Sequence, residues 1–339
     1  MPFGVEFAPL RIPLERRLQT LGVLVFVLLF LIGHLAAWAA LLVPIFLYPP
    51  SAPFLVGYLV WIYTRDAATP SEGGRCFPRM RRLGLWKHFA AYFPIGLQKT
   101  AELDPEKNYL FAYHPHGILG IGAFAAFGTE ALDFSKTFPG ITPHLMTLDM
   151  NFKPPFLREF VMSMGACAVN RKSCANILQS GPGESIAIVV GGAAEALEAK
   201  SKTATLVLKE RMGFVKVALQ TGASLVPVFG FGENDVFAQV NNPQGSLLRR
   251  MQTQVKDAMG FAPAVFHGRG IFNYTLGLLP YRRPITVVVG KPIDVDKVDG
   301  PTREQVKDLH ARYVDSLTEL FNAHKVEHGI DQATKLEII

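Results

Sequence analysis

With 339 residues the chain is long enough for one large domain or two smaller ones. Apolar residues reach 49% and charged residues only 18%, against a usual ~25%, and mean hydropathy is +0.22; these shifts point to membrane contact. A net charge of +6 with pI near 9.2 suits a phosphate-bearing partner, but the basic residues are scattered among apolar ones behind a hydrophobic leader, so anionic lipid or a phosphorylated ligand is expected and nucleic acid is not. Cys76, Cys167 and Cys174 form no even framework, no CxxC and no zinc spacing, which fits a reducing, cytosol-facing setting.

Residues 1–20 are polar and carry Arg11, Arg16 and Arg17 ahead of an apolar run from Leu21 to Leu47. That run exceeds the ~20 residues needed to cross a bilayer and the roughly 7–15 of a signal-peptide core. Pro49, Pro50 and Pro53 break it, and a second, shorter apolar run covers Phe54 to Tyr63. No Asp, Glu, Lys or Arg lies between Arg17 and Arg65, whereas Arg65, Arg75, Arg79, Arg81, Arg82 and Lys87 follow. Positive charge on both flanks predicts a membrane hairpin with both flanks in the cytoplasm.

Beyond residue 65, short apolar runs alternate with helix-like segments. Tyr109–Tyr113, Ile186–Val190, Ser224–Phe229 and Ile285–Val289 read as buried parallel strands. Arg171–Gln179, Phe214–Thr221 and Leu247–Met259 read as helices. A last helix opens with a capping box at Thr302 and Gln305, and Val306, Leu309, Tyr313, Leu317 and Leu320 recur at helical spacing. The expected fold is α/β, a mostly parallel sheet flanked by helices, with an N-terminal transmembrane helical hairpin. The expected organisation is a cytosolic segment 1–20, a hairpin 21–64, a basic connecting segment 65–107 and an α/β domain 108–339.

The chemistry gathers at a strand end. Tyr109-Leu-Phe-Ala-Tyr-His114-Pro115-His116-Gly117 is an apolar strand tipped by two histidines and followed by a helix-like stretch, Ile118 to Phe127. Histidine suits proton abstraction near neutral pH, and a helix start beside it would favour the neutral form. Gly117 would let a carbonyl approach main-chain N–H groups that hold an oxyanion. Either His114 or His116 could be the base; metal ligation and plain turn histidines are the competing readings, and metal ligation lacks a third ligand at a recognisable spacing.

A second strand, Ile186 to Val190, ends in Gly191-Gly192-Ala-Ala-Glu195. Parallel neighbours would bring Glu195 beside His116, to orient the imidazole and balance its charge; an ordinary first-turn glutamate is the alternative. Arg211 to Gly213 starts a helix open to an anion. Gly120-Ile-Gly122-Ala-Phe-Ala125 matches a dinucleotide fingerprint, but the His-Pro-His-Gly tip precedes it and the acidic residue is missing. No G-x-S-x-G elbow is present.

Taken together and in order, these motifs resemble the type-2 diacylglycerol and monoacylglycerol acyltransferases over nearly the whole chain. The resemblance rests on Tyr92-Phe93-Pro94, His114-Pro-His-Gly117, Phe138-Pro-Gly140, Val190-Gly-Gly-Ala-Ala-Glu195, Gly213-Phe214, Leu225-Val-Pro227, Phe231-Gly-Glu233-Asn234, His267-Gly-Arg-Gly270 and Tyr281-Arg-Arg-Pro-Ile-Thr286. The opening Val5-Glu-Phe-Ala-Pro-Leu10 is similar to the monoacylglycerol enzymes, and Asn151 to Glu159 is nearer the diacylglycerol ones. Where family members read Arg-Lys-Gly-Phe this chain has Arg211-Met212-Gly213-Phe214.

The resemblance implies a glycerolipid-acyltransferase-like fold and acyl transfer from acyl-CoA, a co-substrate rather than a cofactor, to a mono- or diacylglycerol hydroxyl in triacylglycerol synthesis. It implies an endoplasmic reticulum membrane enzyme with both termini and active site facing the cytosol. Its partners are acyl-CoA, the acylglycerol and membrane lipid, without nucleic acid, and with a homodimer left open. His116 would be the base, with His114 and Pro115 in support, Glu195 as acidic partner, and no metal. Arg211, Arg282, Arg283 and Lys291 are the candidates for coenzyme A phosphates. The readings from other classes are a non-catalytic membrane lipid-binding protein and a nicotinamide-dependent oxidoreductase.

Overall fold

The computed structural model describes residues 4–9, 11–199, 204–240, 242–243, 245–259 and 264–339, so Leu10 of the opening motif lies outside the described residues. A seven-stranded sheet forms its centre. Its strands are β1 (Gly96–Lys99), β2 (Tyr109–His114), β3 (Thr142–Thr147), β4 (Cys167–Ala168), β5 (Glu184–Val189), β6 (Ser224–Phe231) and β7 (Thr286–Val289). They lie in the order β1-β7-β6-β2-β5-β3-β4. From β6 to β4 neighbouring strands are parallel, while β7 is antiparallel to β6 and β1 is parallel to β7. The sheet is therefore parallel-rich, with a reversed pair at one edge.

Every residue of β2 and β6 is buried, as their continuous apolar runs require of strands covered on both faces. Side chains alternate between faces. Tyr109, Phe111 and Tyr113 join one core, while Leu110 and Ala112 join the other. Among the helices that frame the sheet are α1 (Leu14–Leu47), α2 (Ala52–Thr64), α3 (Gly84–Tyr92), α4 (Arg171–Leu178), α5 (Gly213–Thr221) and α6 (Arg303–His324). The first core takes Val23 and Val27 of α1 with Trp86 and Phe89 of α3. The second takes Ile177 of α4, Phe214 and Val215 of α5, and Tyr313 and Leu317 of α6. The Thr302–Gln305 capping box is formed, and all five periodic apolar positions of α6 are buried.

Several boundaries differ from those expected. The first helix begins at Leu14, not after residue 20, because no helix-breaking residue separates the polar start from the apolar run. It is the one helix among the described residues long and apolar enough to cross a membrane. The second arm, α2, has 13 residues, about 20 Å of helix against a hydrocarbon core of about 30 Å. It is tied down at its far end. The Tyr58 ring stacks on Phe156 at 5.2 Å, and the Tyr63 hydroxyl donates to Lys153 O at 2.7 Å. Just beyond α2, Asp66 is gripped by Arg75 and Arg158.

Residues 65–107 are more than a connector. They supply α3 and β1, and Arg81 is buried, donating to Pro143 O at 3.1 Å and Phe127 O at 3.0 Å. The density of basic residues in this stretch hid an apolar stripe, Trp86, Phe89 and Phe93, that belongs to the core.

Candidate active site

Strand β2 ends at His114 in the middle of the sheet, flanked by β5 and β6 on either side. The His114–Pro115 peptide is cis, and Gly117 follows at φ +60°, a conformation that favours glycine. A Cβ on Gly117 would lie 2.8 Å from Cγ of Glu233, so the turn also needs glycine for close approach.

The two histidines then part. His114 is fully buried, with Nε2 3.0 Å from the Tyr313 hydroxyl. That hydroxyl donates to Ala112 O at 3.1 Å, so it accepts from a protonated Nε2 of His114, leaving Nδ1 without a hydrogen and without a partner. Burial pushes the His114 imidazole down to about 3, which fixes it as neutral. His116 is only partly buried, its Nδ1 lies 3.1 Å from Gly117 O, and its Nε2 makes no hydrogen bond within the described residues. Desolvation lowers its pKa below the usual 6.5, against the opposing pull of its main-chain hydrogen bonds. A neutral ring with one nitrogen fixed and the other free has the form of a general base.

Glu195 reaches this tip, as the pairing of β2 with β5 allows, but by a different contact than expected. Its Oε1 accepts the main-chain N–H of His116 at 2.6 Å, and its Oε2 accepts that of Val207 at 2.8 Å. The carboxylate therefore fixes the main chain of His116 instead of its imidazole. It folds back over Gly191, where a Cβ would collide with the carboxyl group. Desolvation pushes it up to about 7, opposed by the His116 and Val207 N–H groups and by Arg211.

Glu233, a motif position with no role assigned from sequence, proves to be the second buried carboxylate here. It accepts from the Ile121 N–H (2.7 Å), the Gly122 N–H (2.8 Å) and the Tyr113 hydroxyl (2.8 Å). Desolvation raises it to about 7 as well. The helical turn expected from Ile118 begins at Ile121, and its first N–H groups are already occupied. This corrects one expectation and fits the rejection of the dinucleotide fingerprint. The lowered pKa of His116 comes from burial, not from a free helix start. Gly122 serves a carboxylate contact rather than a dinucleotide, since a Cβ there would lie 2.9 Å from Glu233 Oε2. Among the nearby N–H groups that could face an oxyanion, that of His116 is committed to Glu195, and that of Gly117 makes no hydrogen bond among the described residues.

The four basic candidates separate widely. Arg211 belongs to the site, with Nη2 3.4 Å from Gly191 O. Arg283 lines a cleft of about 760 Å³ with Phe231, Gly232 and Tyr281, next along the chain to Glu233. Arg282 is structural: it donates to Gln19 Oε1 (2.6 Å), Arg16 O (3.1 Å) and Thr20 Oγ1 (3.2 Å), and lies 4.0 Å over the Tyr92 ring. Lys291 follows β7, which runs against β6, so it emerges at the opposite end of the sheet from His114.

The remaining motif positions are supports. Tyr92 donates to Pro280 O at 2.7 Å, Phe93 packs on Phe89, and Pro94 is exposed in the turn before β1. Gly213 heads α5, and Phe214 meets the Tyr313 ring edge-on at 5.0 Å, behind His114. Pro227 pairs with Ala112 inside the sheet, and Asn234 follows Glu233 in a short turn. Among the described residues the one group close enough to share an ion is His324, Glu327 and His328, a spacing not picked out from sequence; His324 Nδ1 lies 2.6 Å from Glu327 Oε1. Tyr313 was legible only as a core position, because nothing local marks a side chain whose partner is 199 residues away.

The profile of the diacylglycerol acyltransferase family matches residues 45–339. Diacylglycerol O-acyltransferase 2 of Dictyostelium discoideum is 48% identical over 321 residues, 95% of this chain and 96% of that protein. Diacylglycerol O-acyltransferase 2A of Umbelopsis ramanniana is 46% identical, covering 98% and 94%. The 2-acylglycerol O-acyltransferase 1 of Bos taurus is 48% identical, covering 97% of each. Among solved structures, the 1-acyl-sn-glycerophosphate acyltransferase PlsC of Thermotoga maritima aligns with 87% of the chain and 97% of its own length, at TM-score 0.39 and 10% identity.

Proposed function

Because the chain belongs to the diacylglycerol acyltransferase family, we propose that this acyltransferase moves a fatty acyl group from acyl-CoA to the free hydroxyl of a mono- or diacylglycerol, in triacylglycerol synthesis, with His116 as general base. The contrast between the two histidines supports that choice: His114 is sealed and neutral, whereas His116 keeps a free Nε2 at a partly open tip. His116 Nε2 takes the acceptor proton while the oxygen bonds to the thioester carbonyl carbon. The Gly117 N–H faces the oxyanion of the tetrahedral intermediate. The C–S bond then breaks, and the imidazolium returns the proton to the sulfur. No acyl-enzyme is required.

In this scheme Glu195 is a positioning residue, since it touches the peptide of His116. Arg211 and Arg283 are the basic side chains whose surroundings support binding coenzyme A phosphates, the first beside the glycine turn and the second in the adjoining cleft. For residues 21–64 we propose a hairpin seated in the endoplasmic reticulum membrane, α1 deep and α2 shallow, with both termini and the active site in the cytosol. Basic residues on either side of a charge-free interval support that orientation.

Membranes carrying wild type, His116→Ala and His114→Ala, given labelled acyl-CoA with each acylglycerol, test the assignment and name the acceptor. His116→Ala is expected to lose about 10²–10⁴-fold of the rate. His114→Ala should lower the amount of folded protein instead. A His116→Ala enzyme of normal abundance that transfers acyl groups at the wild-type rate rules the base out.

A further inference from the structure

One part of the surface takes no share in that chemistry. Between β6 and β7, residues 264–281 form an arm folded back on itself. Gly268 N–H donates to Gly277 O at 2.8 Å, and Arg269 and Leu279 exchange main-chain bonds of 2.7 and 2.9 Å. The tip is knitted from within: Asn273 Oδ1 accepts from the N–H groups of Gly270, Thr275 and Leu276 at 3.3, 3.2 and 2.8 Å. That polar stitching holds four large apolar side chains outward. Phe272 is 75% exposed and Leu276 61%, with Ile271 and Leu278 beside them. The N-terminal segment runs along the tip, Ala8 N–H donating to Phe272 O and Tyr274 N–H to Glu6 O, and adds Phe7, 73% exposed. Taking such side chains out of water is favourable, so a rigid turn that keeps them exposed is unfavourable unless something covers them.

The neighbourhood says what covers them. Arg282, directly beyond the arm, fastens it to the first turns of α1 through Arg16 O, Gln19 and Thr20. Exposed Arg11 and Arg16 lie in that same stretch, just ahead of the apolar span. Apolar tip, cationic collar and membrane helix are thus continuous. Cations near an anionic leaflet are drawn to it, and Phe and Leu are at home at the boundary between headgroups and acyl chains. A second copy of the chain would bring its own arginines against these, and like charge opposes that pairing. We propose that the tip formed by Ile271, Phe272, Leu276 and Leu278, with Phe7 beside it, inserts into the headgroup–acyl boundary of an anionic lipid leaflet, the leaflet that α1 enters. The inference rests on the reading of α1 as a membrane helix.

The test uses the full chain with Cys76→Ser, since Cys167 and Cys174 are buried. One environment-sensitive fluorophore is attached at Leu276→Cys on the arm or at Leu35→Cys on the exposed face of α1, in variants that transfer acyl groups at the parent rate. Each is reconstituted in phosphatidylcholine–phosphatidylserine vesicles with or without brominated acyl chains. Both labels should shift to the blue and lose emission to the brominated lipid. A quenched α1 label with an arm label still in water overturns the docking and leaves the membrane helix standing. Both labels in water overturns the membrane reading itself. An arm label that shifts to the blue but is not quenched points to a second copy and equally overturns the proposal.

Discussion

At the tip of β2 two glutamates meet main-chain nitrogens, and their protonation separates their tasks. Glu195 titrates near 7 because burial outweighs its two N–H partners and Arg211, while His116 stays neutral to below its usual 6.5. As pH falls, Glu195 is protonated first, and an oxygen carrying a proton no longer accepts well from its N–H donor. The turn holding His116 then loosens. The wild-type kcat should therefore fall on the acid side near pH 7, with the KM for acyl-CoA nearly constant. Glu195→Gln should show a lower plateau and no limb at that pH, only a later one from His116. A Glu195→Gln profile with the limb still near 7 would assign it to another group.

Glu233 makes the corresponding statement about stability. Its folded-state pKa of about 7 exceeds the ordinary 4.5, so the folded state holds the proton more tightly than the unfolded one. The stabilisation from that proton is complete below 4.5 and disappears as pH rises to about 7, at up to about 1.4 kcal/mol per pH unit. Glu233→Gln should flatten this slope in urea unfolding between pH 5 and 8. It should also cost roughly 1–3 kcal/mol, because an amide sets its NH2 against a main-chain N–H. An unchanged slope would mean that Glu233 is ionised throughout. The identity of His116 and Glu195 as neighbours was legible in the sequence from two strand ends in parallel register. The atoms that meet were not, since a strand tip does not reveal whether a carboxylate turns to a ring or to a peptide.

Helices and strands with strong patterns were readable: α4 and α5 begin and end within a residue of their sequence signals, α6 opens at its capping box, and β2, β5, β6 and β7 coincide with short apolar runs. Strand β1, Gly-Leu-Gln-Lys, and strand β3, Thr-Pro-His-Leu-Met-Thr, carry no such run; pairing with strands distant in sequence makes them strands. Helix α1 was legible as a span but not as part of the core. Its Gly22 faces α3 so closely that a Cβ would lie 2.9 Å from Phe89 N and 3.0 Å from Leu85 O, and Phe26 packs on Phe89 and Phe124. Gly22→Val should push the two helices apart and lower the unfolding temperature, with about 1–3 kcal/mol lost to overpacking. An equal melting temperature in detergent would show that the contact yields freely.

On the scale of the whole molecule, the α/β class was predictable from alternating patterns, but the reversal of β7 and β1 at the sheet edge was not, because strand direction leaves no mark on a short Val-rich run. That reversal has a practical effect. It carries the chain back towards the His114 end of the sheet just before β7, where Arg282 holds α1 by three hydrogen bonds and stacks on Tyr92. These contacts tie α1 to the end of the sheet that carries His116, so on the proposed reading of α1 as a membrane span the thickness of the lipid layer should act on that tip. In bilayers thinner than the apolar length of α1, hydrophobic mismatch would tilt that helix, and in thicker ones it would thin the bilayer or draw the flanking residues inward, each at a fraction of a kcal/mol per Å. Either response would move His116 from the depth that the proposed reaction requires. Turnover in vesicles of graded acyl-chain length should thus pass through a maximum, and a flat response would mean that the helix swivels independently of the sheet.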